Sequence, residues 1–294
     1  MSRVAYVDGR YVPHADAGIH VEDRGYQFSD GVYEVIGVHR GRLFDAEPHL
    51  DRLDRSLNEL RIAAPMSRGA MRAVMAEVLR RNRITASGAV YLQVTRGVAP
   101  RVHAFPAGIR PTLVMTARAS PPFDAKAARR GVAVITVPDI RWSRCDIKSV
   151  SLLANVLGKQ SAIETGAFEA WMVDADGAVT EGTASNAWIV TRAGELITRQ
   201  PDQAILNGIT RRAVLALAAE QGITLAERPF TVAEAKKAKE AFLTSTTSMV
   251  KPVVRIDGKR IGSGRVGPLT AGLVDFYGRH LDDEAGVPVA DRKR

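Results

Sequence analysis

The run Ala119-Ser120-Pro121-Pro122 interrupts every regular pattern in the chain. A proline pair removes two backbone donors and turns the preceding residue away from helix. With 294 residues, the chain has enough length on each side of that break for a core of its own. The expected organisation is a small N-terminal α+β domain over 1–120 and a larger domain over 121–281. A polar segment over 282–294, ending Asp291-Arg292-Lys293-Arg294, reads as a disordered tail.

Before the break, Tyr6 to Val12 reads as a hairpin around Asp8-Gly9, and Val32 to Phe44 as another around Arg40-Gly41. Leu50, Leu53, Leu57 and Leu60 form one helical stripe, and Met71, Val74, Met75, Val78 and Leu79 form a second behind Ser67 as N-cap. Strands follow at Ala89–Thr95 and Thr112–Ala117. After the break come strands at Val132–Val137, Ala170–Val173, Ala187–Val190 and Ala241–Leu243, with Asp176-Gly177 as a turn. Helices fit Leu152–Glu164, whose apolar Leu153, Val156, Leu157 and Ile163 face one side, and Thr210–Gln221, Thr231–Ala238 and Leu269–His280. Separate strand runs and helices argue α+β rather than a doubly wound parallel sheet.

Composition narrows the function. Hydrophobic residues make up 46% and charged residues 25%, the globular norm. The start, Met1 to Gly9, has no apolar targeting core and no apolar run approaches a membrane span, so a cytoplasmic protein is expected. The single Cys145 excludes an internal disulfide framework and a cysteine-rich zinc site. The net charge of +9 comes from arginines scattered along the whole chain, with no basic helix face interleaved with aromatics, which argues against nucleic acid.

Of the 41 basic residues 32 are arginine and nine are lysine. One lysine, Lys148, lies in the dense segment Asp139-Ile140-Arg141-Trp142-Ser143-Arg144-Cys145-Asp146-Ile147-Lys148-Ser149. A lysine that forms a Schiff base must lose its proton near neutral pH, and burial beside Arg141 and Arg144 would favour the neutral amine. Glu181 ends a strand and is followed by the small residues Gly182, Thr183, Ala184 and Ser185, which leave room for a flat ring. Gly208-Ile209-Thr210 opens a helix whose free N–H groups suit a phosphate. Arg101 and His103, two apart on an extended loop, offer donors on one side for a carboxylate.

These segments, with Glu22 to Val35, His49 to Leu53, Val94 to His103, Val179 to Asn186, Leu206 to Arg211 and Thr244 to Ser248, resemble in order and spacing the D-amino-acid aminotransferases of the class IV, fold-type IV, pyridoxal-phosphate family. The resemblance implies a two-domain fold, with a small N-terminal domain and a larger one bearing a barrel-like sheet. It implies pyridoxal 5′-phosphate carried on Lys148 as catalytic residue, with Glu181 beside the ring nitrogen. Arg52, Ser185, Leu206, Ile209, Thr210, Thr246 and Thr247 are implied as further cofactor ligands, and Tyr33, Arg101 and His103 as the substrate-carboxylate trap. The loop bearing Arg101 and His103 is expected to cross a homodimer interface, and the substrates to be D-amino acids and 2-oxo acids.

Other class IV chemistries compete: branched-chain L-amino-acid or (R)-amine transamination, and aminodeoxychorismate lysis. The Arg101-x-His103 pair discriminates against them. A binding protein without chemistry is disfavoured by the presence of both Lys148 and Glu181. Three positions depart from the family: Ala184 lacks a hydroxyl, Trp188 stands where Phe or Tyr is usual, and Gly37 leaves the strand after Tyr33 without a basic side chain.

Overall fold

The computed structural model describes residues 3–288. The chain forms two compact units. The first contains residues 3–122 with Ile147–Ser151 and 284–288, and the second contains Phe123–Asp146 and Leu152–Asp283. The lysine segment thus returns to the first unit after the chain has entered the second.

The first unit is built on a six-stranded sheet, β1 (Val4–Val7), β2 (Arg10–Pro13), β3 (Gly31–His39), β4 (Arg42–Leu43), β5 (Gly88–Thr95) and β6 (Thr112–Ala119), in the order β2-β1-β6-β5-β3-β4 and antiparallel throughout. Both predicted hairpin turns form. Asp8 and Gly9 have φ of 42° and 90°, and Arg40 and Gly41 have 50° and 76°, the double left-handed geometry that matches strand twist. Helices α1 (Arg24–Phe28), α2 (Ala46–Glu59) and α3 (Arg68–Arg81) complete the unit. Ser67 caps α3 by accepting from the Ala70 N–H. Leu50, Leu53 and Leu57 of α2 and Met71, Met75, Val78 and Leu79 of α3 share one core with Val32, Ile36, Val90, Leu92 and Met115. That core covers one sheet face. The other face carries Tyr33, Tyr91 and Gln93, which remain half-exposed.

The second unit holds the short α4 (Ala125–Ala128), then β7 (Val132–Pro138), α5 (Leu153–Glu164), β8 (Glu169–Val173), β9 (Val179–Gly182), β10 (Asn186–Val190), β11 (Leu196–Thr198), α6 (Ile209–Glu220), β12 (Leu225–Glu227), α7 (Val232–Ala235), β13 (Glu240–Ser245), β14 (Met249–Ile256), β15 (Lys259–Arg260) and α8 (Pro268–Glu284). Its nine strands form one mixed, curled half-barrel sheet in the order β12-β11-β10-β13-β14-β7-β8-β9, with β15 paired to β14. β7 runs parallel to both β8 and β14, while β10, β13 and β14 are antiparallel. The fold is α+β, as expected.

Several details differ from the sequence reading. Helix α7 spans one turn, shorter than Thr231–Ala238, although Thr231 does cap it through the Glu234 N–H. Helix α8 continues through Asp282 to Glu284, so the start expected for the polar tail is helical. Residues 285–288 of that expected tail are non-helical, and 289–294 lie outside the described residues. On α5 the large residues Leu153, Val156, Leu157 and Ile163 are exposed, Leu153 by 73%, and the buried positions are Gly158 and Ala162. Small residues allow the helix to lie close on its sheet, and the large ones then have no interior to enter. At Gly37 a Cβ would meet the Phe44 ring at 2.0 Å, so an aromatic ring fills the place a side chain would take. Trp188 is fully buried, stacked on Phe242 with ring centroids 5.3 Å apart, and donates from Nε1 to Thr244 Oγ1 at 2.9 Å.

Candidate active site

In the first unit Lys148 is held as a strand-like extension of the sheet. The Tyr33 N–H donates to the Lys148 carbonyl at 3.0 Å, the Val150 N–H to the Gly31 carbonyl at 3.0 Å, and the Lys148 N–H to Ser56 Oγ at 3.3 Å. Ile147, one residue earlier, anchors the segment in the core. These bonds turn the Lys148 side chain over Tyr33, with Nζ 4.2 Å from the ring centroid. Tyr33 is stacked on Tyr91 at 5.7 Å, and the Tyr91 hydroxyl donates to Gln93 Oε1 at 2.6 Å. Burial pushes the Tyr91 phenol up to about 12, so it stays neutral.

Arg52 is buried rather than solvated. Its Nε donates to Glu34 Oε1 at 2.7 Å and its Nη2 to Glu34 Oε2 at 2.9 Å, while His49 Nδ1 lies 2.7 Å from Glu34 Oε2. Glu34 has no exposure at all. Burial by itself would raise its carboxyl, but the charge and hydrogen bonds of Arg52, with His49, hold it at about 2. Burial pushes His49 below the usual imidazole range, outweighing the pull of Glu34.

Arg101 and His103 lie exposed on the loop after β5. Arg101 sits over the Phe28 ring at 5.0 Å, and His103 is tilted against the same ring at 5.4 Å. Buried Arg24 fastens this loop from below, donating to the Val102 carbonyl at 2.5 Å and the His103 carbonyl at 3.3 Å while Asp30 accepts from its Nε. Tyr33, Lys148 and Arg52 therefore share the neighbourhood of β3, and Arg101 and His103 are gathered over α1.

In the second unit Glu181, on β9, is buried and held by three donors. Arg141 Nη1 donates to Oε1, and Asn186 Nδ2 and the Leu206 N–H each donate to Oε2 at 3.1 Å. Arg141 also pairs with Asp139, and Arg144 pairs with Asp146. Both arginines are thus matched by carboxylates, and the free cationic field suggested by the sequence is largely neutralised. Gly208 is the N-cap of α6 and no side chain caps that end. Ile209 and Thr210 are buried with their N–H groups at this uncapped terminus, a donor set that fits a phosphate dianion. A Cβ on Gly208 would approach Asn186 Oδ1 to 2.1 Å, so glycine here keeps Asn186 free to hold Glu181. Thr246 and Thr247 lie in the turn between β13 and β14, Thr246 half-buried and Thr247 exposed. Ser185 faces Glu169, donating to Oε2 at 3.3 Å.

The amino-transferase class IV family model matches residues 31–256, from β3 through β14. The chain is a class IV aminotransferase. The aminotransferase is 45% identical over 264 residues to a D-alanine aminotransferase of Bacillus licheniformis, a span of 90% of this chain and 92% of that one. It is 40% identical over 282 residues to a D-alanine aminotransferase of Listeria monocytogenes, covering 95% and 96%. In fold it resembles the branched-chain amino acid aminotransferase of Thermobaculum terrenum, determined in its PLP-bound holo form, with a TM-score of 0.81 at 23% identity, covering 96% of this chain and 95% of that one.

Sequence reasoning about the aminotransferase missed Glu34, His49, Asn186 and Arg24. Glu34 did leave a signal. It occupies the same strand face as Val32, Ile36 and Val38, where a lone carboxylate demands a buried partner. His49 and Arg52, three apart beside Leu50 and Leu53, supply that partner from the apolar stripe of α2.

Proposed function

We propose that this aminotransferase is pyridoxal-phosphate-dependent and exchanges the amino group of a D-amino acid with a 2-oxo acid, converting D-alanine and 2-oxoglutarate to pyruvate and D-glutamate. The observation that carries the cofactor assignment is Glu181, a buried carboxylate oriented by three donors and suited to a protonated ring nitrogen. The D-substrate is supported by the 45% and 40% identical relatives and by Arg101 and His103 on one loop.

When bound, the cofactor supplies a carbonyl that condenses with amines and a ring that accepts the electron pair left at Cα. Lys148 Nζ would hold the cofactor and, as a free amine, would carry the proton at the substrate Cα. The uncapped N–H groups of Ile209 and Thr210, with Thr246 and Thr247, would hold the phosphate, and the family resemblance assigns Arg52 to the same group. Leu206, whose N–H steadies Glu181, and Ser185 would border the ring. Tyr33, Arg101 and His103 bind the substrate carboxylate.

The active form is a homodimer, to which the loop of Arg101 and His103 contributes across subunits. Exposed Val98, Val102 and Phe105 on that loop, and the exposed face of α5, provide apolar surface for such an assembly. No helix among the described residues is long and apolar enough to cross a membrane. A cytoplasmic setting fits a chain with one cysteine.

The test is a half-reaction. The purified protein, loaded with pyridoxal phosphate, is mixed with D-alanine or L-alanine and its visible absorption band followed. Rapid bleaching by D-alanine alone is expected. Faster bleaching by L-alanine would overturn the D-amino-acid assignment.

A further inference from the structure

The three donors described for Glu181 are not equivalent: Arg141 carries charge, whereas Asn186 Nδ2 and the Leu206 N–H do not. Arg141 is itself gripped on its other side: Nε donates to Asp139 Oδ1 at 2.9 Å, and Nη2 to Asp139 Oδ2 at 2.7 Å and to the Ala204 carbonyl at 2.9 Å. Thr180, the chain neighbour of Glu181, closes the circuit by donating from its hydroxyl to Asp139 Oδ2 at 2.7 Å. Glu181 is buried and Asp139 and Arg141 are largely so, with side chains 8%, 11% and 6% exposed. The circuit is therefore shielded from water, where a guanidinium acts strongly on a carboxylate. Burial works against the Arg141 charge, but Asp139 and Glu181 more than compensate and raise its proton affinity. Cys145 adds no negative charge, because burial pushes its thiol up to about 11.

We propose that Arg141 is a positioning residue that keeps the proton shared between Glu181 and the cofactor's ring nitrogen on the nitrogen. This inference rests on the assignment of Glu181 to the ring nitrogen. A carboxylate that already accepts from a guanidinium, an amide and a backbone N–H is a poor proton acceptor. Its electron density is committed, so a neighbouring pyridinium retains its proton and the ring keeps its full charge. Without Arg141 the carboxylate becomes more basic and draws the same proton to itself. The ring then turns neutral and withdraws electrons less well. Asp139 orients the guanidinium, so its effect on the ring passes through Arg141.

The experiment is the ¹⁵N chemical shift of the ring nitrogen in holoenzyme reconstituted with ¹⁵N-labelled pyridoxal phosphate. Wild type is compared with Arg141→Met, Arg141→Lys, Glu181→Gln and the double variant Arg141→Met/Glu181→Gln. The wild-type resonance is expected at the protonated position and that of Glu181→Gln at the unprotonated one. Arg141→Met should move most of the way toward Glu181→Gln, and Arg141→Lys part of the way, because a shorter ammonium cannot grip both carboxylates. The double variant should match Glu181→Gln alone. In steady state, Arg141→Met should lower kcat roughly 10- to 100-fold while KM for D-alanine changes less than about 3-fold.

A wild-type resonance in Arg141→Met, accompanied only by a lower melting temperature, would overturn the inference and make Arg141 a structural clamp. Should Arg141→Met fail to fold, Arg141→Lys decides by the same criterion. If Glu181→Gln itself leaves the resonance unmoved, the assignment of Glu181 fails and the inference falls with it. A shift in Glu181→Gln without one in either Arg141 variant overturns the inference alone.

Discussion

In the first unit one carboxylate, Glu34, stands between Arg52 and His49, with Lys148 close by on the same sheet. In the second unit one guanidinium, Arg141, stands between Asp139 and Glu181. The two buried networks have similar parts in opposite proportion. Around Glu34 the basic groups outnumber the acid, although burial keeps His49 from charging, and around Arg141 two carboxylates face one guanidinium. A buried network with surplus charge is costly unless something of the opposite sign joins it. On the proposed assignment, the first would serve an anion such as a phosphate, and the second a cation such as a protonated ring nitrogen.

The largest expected effect lies in the first network's neighbourhood. Lys148→Ala should abolish turnover and the visible band of lysine-bound cofactor, with an unchanged far-ultraviolet circular dichroism spectrum. Near-normal transamination by that variant would remove the chemical meaning of the contrast.

Glu34→Gln tests the first network directly, since it leaves Arg52 buried without its countercharge. A loss of about 3–5 kcal/mol in unfolding free energy is expected by denaturant titration. The pH dependence has a definite sign. The Glu34 carboxyl is held at about 2 against an ordinary value of 4.5, so its contribution is fully present above 4.5 and is lost as pH falls toward 2. His49, with its lowered affinity for a proton, acts in the same direction, because acid must charge a buried imidazole. Acid unfolding curves of wild type and Glu34→Gln should converge at low pH, and parallel curves would contradict this origin.

Glu181→Gln tests the second network. It should retain cofactor but slow single-turnover proton transfer by roughly 10²–10³, or ~3–4 kcal/mol. An unchanged single-turnover rate would place the surplus negative charge of this network away from the reaction.

The smallest effect is expected outside both networks. Arg101→Ala should reduce kcat/KM for D-alanine by about 2 kcal/mol, with little change for amines that lack a carboxylate. His103→Ala should act less than additively with it, since both groups are proposed to serve one carboxylate. Equal losses for substrates with and without a carboxylate would assign the pair to loop structure on Phe28 instead.

Much of this was legible from local pattern. The Asp8-Gly9 and Arg40-Gly41 turns, the Ser67 cap and the leucine stripe of α2 follow from interactions within a few residues, which sequence spacing specifies directly. The strand order was not legible, because pairing β14 with β7 or β6 with β1 joins segments far apart in the chain. The exposed face of α5 misleads for a related reason. Periodicity groups Leu153, Val156 and Leu157 together but does not state which side of the helix meets the sheet.

The family is written in short motifs, and Lys148, Glu181 and Arg101-x-His103 are proposed from spacing and resemblance. The pairing of charges is not written there; packing sets it. Periodicity sets Arg52 among the polar residues Asp51 and Asp54, yet the chain buries it against Glu34 on a neighbouring strand. Arg141 looked like a free cation near a lysine, yet folding matches it to Asp139 and Glu181. The strength of a charge depends on its partners and its distance from water, and neither is fixed until distant segments have packed.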